Sequence, residues 1–310
     1  MKKFQPVIHF SLTVLCLVLI GFLWFKPSQS PQAIPFSPSV SNQPMSPLDS
    51  IRIFEIPKDL TFAGEKVPLE IQDVFERLER EIYVNAYWQS NMILLMKRSG
   101  KYLEEIEEIL RQNEVPEDLK YLAIAESGLM NVASPAGAKG FWQFMESTGK
   151  EYGLEINRDV DERYHFQKST VAATKYLKKA HEKFGNWTAV AASYNMGQNG
   201  FSRRQQEQLQ DDYYHLLLNE ETSRYMFRIL AFKVIFENPQ NFGFSLRESD
   251  YYQTPPLKTI QVNADIKNLA EWAKSHGSSY KDLKLYNPWL RDKNLNVRRG
   301  KTYELILPEY

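Results

Sequence analysis

Cysteine is nearly missing from this chain. Of 310 residues only Cys16 carries a thiol, so no intrachain disulfide can staple the fold. Net charge is missing too: 38 basic side chains meet 38 acidic ones. That balance argues against a nucleic-acid partner and against a basic membrane-surface patch. The five His residues form no H-E-x-x-H pattern and have no Cys partners, so no metal site is expected. No cofactor is expected either. What is present is ample apolar material, 43% of residues, in a chain longer than one compact core usually needs.

Lys2 and Lys3 precede an almost wholly apolar run at residues 7–25, interrupted by His9, Ser11 and Thr13. A bilayer span needs roughly 20 such residues, and positive charge ahead of the run keeps the N-terminus cytoplasmic. A cleaved signal peptide is the alternative, but no A-x-A-like site follows. Leu15 before Cys16, and the apolar run continuing beyond it, do not fit a lipobox. Residues 1–26 are therefore read as a cytoplasmic stub and transmembrane signal anchor. Residues 27–50, rich in Pro, Ser and Gln, read as a disordered spacer.

A strand-like piece at residues 51–56 opens the next region, and from Pro68 the period becomes helical. Ile71, Val74, Phe75, Leu78 and Ile82 form one apolar stripe. Tyr87, Trp88, Ile93, Leu94 and Leu95 predict more buried helix or a helix corner. Tyr102, Leu103, Ile106, Ile109 and Leu110 form a second stripe, with Glu104, Glu105, Glu107 and Glu108 on its solvated side. Further stripes run through Ala173, Leu177, Ala180 and Phe184, which Gly185 can stop, and through Trp187, Val190, Ala191 and Tyr194, which Asn186 can cap. Another runs through Tyr225, Ile229, Phe232 and Phe236, capped by Asn219. Residues 241–256 read as a linker. The pattern then changes to a strand at 258–262, two short helices and a closing strand at 303–307, a small unit with a modest core.

The central stretch is residues 119–127. Leu119, Leu122, Ala123 and Glu126 fall on one helix face, and Gly128 can end the helix. A carboxyl there is partly desolvated and near the negative end of the helix dipole, and both effects raise its pKa toward that of a general acid. Taken alone, the stretch fits a Glu turned to water better. Downstream, Gly140, Phe141, Trp142, Gln143 and Phe144 set an amide among aromatics after an irregular loop at 134–140. Such an amide needs partners, and aromatic faces beside amides hold sugar rings. Tyr194 sits at a helix end, where its hydroxyl either reaches a cleft or bonds to backbone.

Four motifs occur in order: Glu126-Ser127; Gly140-Phe141-Trp142-Gln143-Phe144; Ser193-Tyr194-Asn195-Met196-Gly197; and Glu221-Thr222 followed by Tyr225. Together they resemble the lytic transglycosylases of goose-type lysozyme fold, over about residues 68–240, with spacing most similar to the membrane-bound murein transglycosylase D branch. Residues 257–308 are similar to a LysM module, although Asn263-Ala264-Asp265-Ile266 stands where Gly-Asp-Thr-Leu is usual. The resemblance implies a mainly α, lysozyme-like catalytic domain at 51–250, its motif core at about 115–240, and a β-α-α-β LysM-like domain at 257–308. It implies Glu126 as the one catalytic carboxyl, with Ser127, Ser134, Gly140, Gln143, Phe144, Tyr194, Asn195 and Tyr225 lining the cleft, and with Gly140 letting the backbone approach the sugar. It further implies cleavage between N-acetylmuramic acid and N-acetylglucosamine in peptidoglycan, with 1,6-anhydro products. With the apolar run at residues 7–25 read as an anchor, a single-pass inner-membrane protein with its catalytic domain in the periplasm is expected. A hydrolytic muramidase and a non-catalytic peptidoglycan-binding protein are the alternatives. Glu146, where the family usually has Pro, is an extra carboxyl, read as a solvated residue in a first helical turn.

Overall fold

The computed structural model describes residues 52–309. The expected anchor and Pro-rich spacer lie outside the described residues, and among the latter no helix is long and apolar enough to cross a membrane. Residues 52–56 form no strand; Phe54 donates its N–H to the Tyr83 hydroxyl at 3.2 Å and is buried against Tyr83, Tyr87 and Phe242. The first pairing comes later, in a hairpin of β1 (Thr61–Phe62) and β2 (Glu65–Lys66).

Three helices follow: α1 (Gln72–Tyr87), α2 (Gln89–Ser99) and α3 (Leu103–Gln112). In α1 the expected stripe buries Val74, Leu78 and Ile82, while Phe75 lies at the edge of solvent. The α1–α2 corner corrects one expectation. Of the residues expected there Leu95 is buried, but Tyr87, Trp88, Ile93 and Leu94 are exposed, and Met92 and Met96 are buried in their place. The chain turns at Trp88, and the break resets which face of the next helix meets the core. Helix α3 buries Ile106 and Leu110 and leaves its Glu run outside, where Glu107 pairs with Lys120.

The rest of the helical layer comprises α4 (Lys120–Ser127), α5 (Glu146–Glu151), α6 (Phe166–Phe184), α7 (Trp187–Met196), α8 (Gln198–Gln208) and α9 (Glu220–Glu237). Asn186 and Asn219 cap α7 and α9 through Oδ1, accepting from the N–H groups of Ala189 and Thr222. Helix α9 is the hub, packed on α1, α4 and α7. It is buried nearly all round from Tyr225 to Ile235 rather than along one stripe, as a helix surrounded by others must be. Residues 241–256 are not a loose tether: the Tyr252 N–H bonds the Lys97 carbonyl at 2.7 Å, and Tyr251 packs on Gly100.

The C-terminal part is β3 (Leu257–Val262), α10 (Leu269–Ser275), α11 (Tyr280–Tyr286) and β4 (Tyr303–Pro308), with β3 and β4 antiparallel. Its core is small, and Val160 and Tyr164 from the helical part complete it. The segment that delivers them is stitched in place. Asp161 N–H bonds Trp289 carbonyl, Arg291 N–H bonds Asp159 carbonyl, and Lys301 pairs with Glu155. Borrowed core and backbone pairing supply what a cysteine-free module of this size lacks.

Candidate active site

The site begins with α4. A 3-10 turn, Glu117–Leu119, leads into it, and Gly128 ends it at φ 58°. Arg98 donates to the Gly128 carbonyl, placing a cation at the negative end of the helix. Leu119, Leu122 and Ala123 are buried, as the face pattern requires, and so are Tyr121 and Ile124. Glu126, one residue before the end, is half-buried. Burial raises its carboxyl pKa to about 7, against the opposing pull of a Tyr225 hydrogen bond and the Arg228 charge; Glu221 adds a smaller upward push. Near neutral pH such a group exists in both protonation states, the condition for an acid that must later act as a base.

Tyr225, from α9, donates its hydroxyl to Glu126 Oε1 at 2.5 Å. Burial drives its own pKa far up, so the phenol stays a donor at all working pH values. Tyr225→Phe removes the one bond that favours the charged carboxylate. The Glu126 pKa then rises further, and the basic limb of a pH–rate profile should move to higher pH. A profile unchanged in position would refute that role.

The other expected residues divide into two groups. Tyr194 is close enough to Glu126 for that carboxylate to raise its pKa, but its hydroxyl donates to the Trp142 carbonyl at 2.6 Å. It therefore fastens the 132–144 loop to α7. Asn195 Oδ1 accepts from the Thr222 hydroxyl at 2.8 Å, joining the end of α7 to the start of α9. Ser127 is buried and donates to the Ala123 carbonyl, and Ser134 accepts the Ala138 N–H within its own loop. Gln143, at φ 47°, donates to the Gly140 and Val132 carbonyls at 2.8 and 3.1 Å. Phe144 is buried against Tyr176 and Tyr194, and Trp142 bonds Thr170, so these aromatics are core rather than sugar platforms.

Gly140 needs a correction. What approaches it closely is the chain's own backbone: a Cβ there would lie 1.8 Å from the Arg163 carbonyl oxygen. Sequence reasoning missed Arg163. It is buried, forms a two-point ion pair with Asp161, and donates to the Gly137 and Phe144 carbonyls, clamping the loop from within. Its signal was weak: Asp161 two positions away, inside the charged run Arg158-Asp159-Val160-Asp161-Glu162-Arg163, where no residue stands out by type.

Among the described residues neither of the other candidate carboxyls is prepared as Glu126 is. Glu146 opens α5, is exposed, and is held charged by Lys150 at 2.6 Å. Glu221 is exposed in the first turn of α9 and pairs with Arg228 at 3.3 Å. Among the described residues no group of His, Cys, Asp and Glu is gathered for a metal.

Residues 105–217, which hold Glu126 and the clamped loop, match the family model of the transglycosylase SLT domain. The chain carries a transglycosylase SLT domain. Residues 258–310 match the soluble lytic transglycosylase C-terminal LysM-like domain. The membrane-bound lytic murein transglycosylase D of Escherichia coli K12 is 27% identical over 215 residues, covering 67% of this chain and 47% of that protein. The protein of the same name from Escherichia coli O6:H1 gives the same values. The chain thus spans about half the length of the curated relatives it matches. Among solved structures, an inactive variant of lytic transglycosylase Slt from Pseudomonas aeruginosa is similar, with a TM-score of 0.35, 18% identity, and coverage of 44% of this chain and 24% of that one. Tyr225 lies beyond the residues that the SLT model matches, so α9 supplies the partner of Glu126 from outside them.

Proposed function

We propose that the chain is a peptidoglycan lytic transglycosylase that cleaves the bond between N-acetylmuramic acid and N-acetylglucosamine. The observation that carries this reading is the half-buried carboxyl of Glu126, with a pKa of about 7 and a phenol donor at 2.5 Å. As an acid, Glu126 protonates the glycosidic oxygen while the bond from that oxygen to the anomeric carbon breaks. As the resulting base, it takes the proton of the muramic 6-hydroxyl while that oxygen bonds to the anomeric carbon. The proton balance closes on one residue, and no water is consumed. A hydrolase of the usual kind needs a second carboxyl about 5–9.5 Å away. The exposed, lysine-paired Glu146 gives no support to one. Tyr225 orients the carboxyl; Tyr194, Asn195, Gln143, Ser134 and Gly140 hold the walls; Ser127 and Phe144 pack beneath them.

The test is the product. Digested murein should yield muramic ends in the 1,6-anhydro form, lighter by one water than hydrolysis products when read by mass spectrometry. Reducing muramic ends as the main product would overturn the mechanism, and no cleavage at all would favour a binding protein. The proposal includes an anchor at residues 1–26, a spacer at 27–50, a catalytic domain at 51–250 and a LysM-like domain at 257–308, with the enzyme held on the periplasmic face of the inner membrane. The relative's name, membrane-bound, supports attachment to a membrane.

A further inference from the structure

Residues 155–164 run between α5 and α6, and they face two ways. On one side they belong to the C-terminal module. Val160 and Tyr164 sit in its core. The Asp159 carboxylate accepts the Asn296 N–H at 3.2 Å and the Asn296 side-chain amide. Glu155 pairs with Lys301 and accepts the Tyr303 hydroxyl at 3.0 Å. On the other side the same segment grips the loop at 132–144. Arg163 donates to the Gly137 and Phe144 carbonyls at 3.2 and 3.3 Å, and its own carbonyl rests against Gly140. Asp161 joins the two sides in one residue. Its N–H is held by the Trp289 carbonyl of the module at 2.9 Å. Its carboxylate accepts from Arg163 at 2.7 and 2.9 Å and pairs with Lys139 of the loop at 3.5 Å.

Packing alone does not call for this chemistry. Asp161 is 3% exposed and Arg163 2%, and burying such a pair brings little net stability over apolar side chains of the same size. What it brings is direction. A planar guanidinium fixed along one edge by a carboxylate aims its remaining donors at set points. Here those points are carbonyls of the loop that presents the Trp142 carbonyl to the Tyr194 hydroxyl. Tyr194 in turn lies within electrostatic reach of Glu126. We propose that the C-terminal module is a working part of the catalytic site: through Asp161 and Arg163, as positioning residues, its docking sets the loop that fixes Tyr194 beside Glu126. The proposal rests on the functional reading above and adds to it that turnover depends on how the module is seated, whatever the module itself binds.

The test loosens the seat from the module's side, in the full chain. Lys301→Met combined with Asn296→Ala removes the ties to Glu155 and Asp159 and leaves the module's own core of Leu269, Leu283 and Leu305 intact. On murein glycan strands kcat should fall about tenfold with KM little changed, since a shift of about 1 Å in a catalytic group can cost about 10²-fold and here the loop is loosened rather than lost. Lys301→Arg, which keeps the charge for Glu155, should retain the wild-type kcat. Leu283→Ala, or Ile266→Val should that fail to fold, weakens the module's core without touching the seat. It should lower the melting temperature and leave kcat unchanged below melting. The route through Arg163 is read by a double-mutant cycle. In an Arg163→Lys background, itself reduced in kcat, the Lys301 and Asn296 changes should cost little more. Multiplicative losses overturn the proposal, as does an equal fall of kcat in the core variant. A second arm needs neither turnover nor a folded Arg163→Lys chain. Hydrogen exchange at the Ser134, Lys139 and Gly140 amides, which bond within the loop, should quicken in the loosened variant, while the buried middle of α9 keeps its wild-type rate. Unchanged exchange in the loop overturns the proposal. If the loop loosens but even the wild-type chain cleaves no murein, the functional reading fails and the coupling of module to loop stands.

Discussion

Glu126→Gln is expected to reduce murein cleavage by about 10²–10⁴-fold or more, the usual contribution of a positioned general acid. The amide keeps the shape of the side chain and accepts the Tyr225 hydroxyl, so the fold should survive. Indeed the variant should be the more stable protein above neutrality. The carboxyl pKa is about 7 folded against 4.5 in a free side chain. The folded state therefore keeps a proton that the unfolded state releases between those values. Stability falls as pH rises from about 4.5 towards 7, and the whole cost remains at higher pH. For a half-buried group that cost is on the order of 1–3 kcal/mol. Melting curves should then show the Gln variant above wild type at pH 8 and level with it at pH 4. Wild-type cleavage by the purified variant would sink the assignment of Glu126. Identical melting at pH 8 would show that burial does not strain this carboxyl.

Gly140→Ala should be the most damaging small substitution in the loop. At φ 80° an L-residue is already strained, and here the added methyl would meet the Arg163 carbonyl oxygen at 1.8 Å. Neither group can swing aside, because both are backbone. The expected loss is about 3 kcal/mol or more, a fall in melting temperature of about 6–12 °C. Activity should fall with it, since the same loop presents the Trp142 carbonyl that holds Tyr194. Gly137→Ala is the control. It has φ 90° but nothing within 4 Å of the new methyl, so it isolates the backbone strain from the clash. It should cost about 1 kcal/mol. Equal melting of the two variants would mean that the Arg163 approach does not matter.

Local chemistry was legible where one segment decides its own state. The second of the two short helices expected between the C-terminal strands is Tyr280–Tyr286, bounded by the Ser279 cap and by Asn287 ahead of Pro288. The strand at 258–262 and the closing strand at 303–307 pair as expected, because alternation with one buried face leaves little choice of register. Its face and its Gly128 stop marked Glu126 as a candidate, which the four motifs in order and not that stretch alone favoured as catalytic, and the solvated reading of Glu146 rested on helix-start preference alone. Each of these depends on spacing within a few residues, which a chain carries with it wherever it packs.

What surrounds those segments depended on partners far along the chain. The rise of the Glu126 pKa comes first from burial, which neighbouring helices create, and the dipole argument from α4 alone did not measure it. The Tyr225 donor is 99 residues away. Tyr194 had two readings, cleft or backbone, and only the position of the Trp142 carbonyl chose between them. Trp88 looked like core and is exposed, because the corner between two helices, not the hydrophobicity of its residues, determines which side faces inward. Gly140 was read as room for a sugar, and it is room for Arg163, whose position follows from Asp161 and the C-terminal module beyond it. The sequence by itself therefore determined most of the segments and their caps, and it marked Glu126 as a candidate acid. The tertiary structure decided protonation, orientation and exposure, since desolvation and long-range hydrogen bonds exist only once distant segments meet.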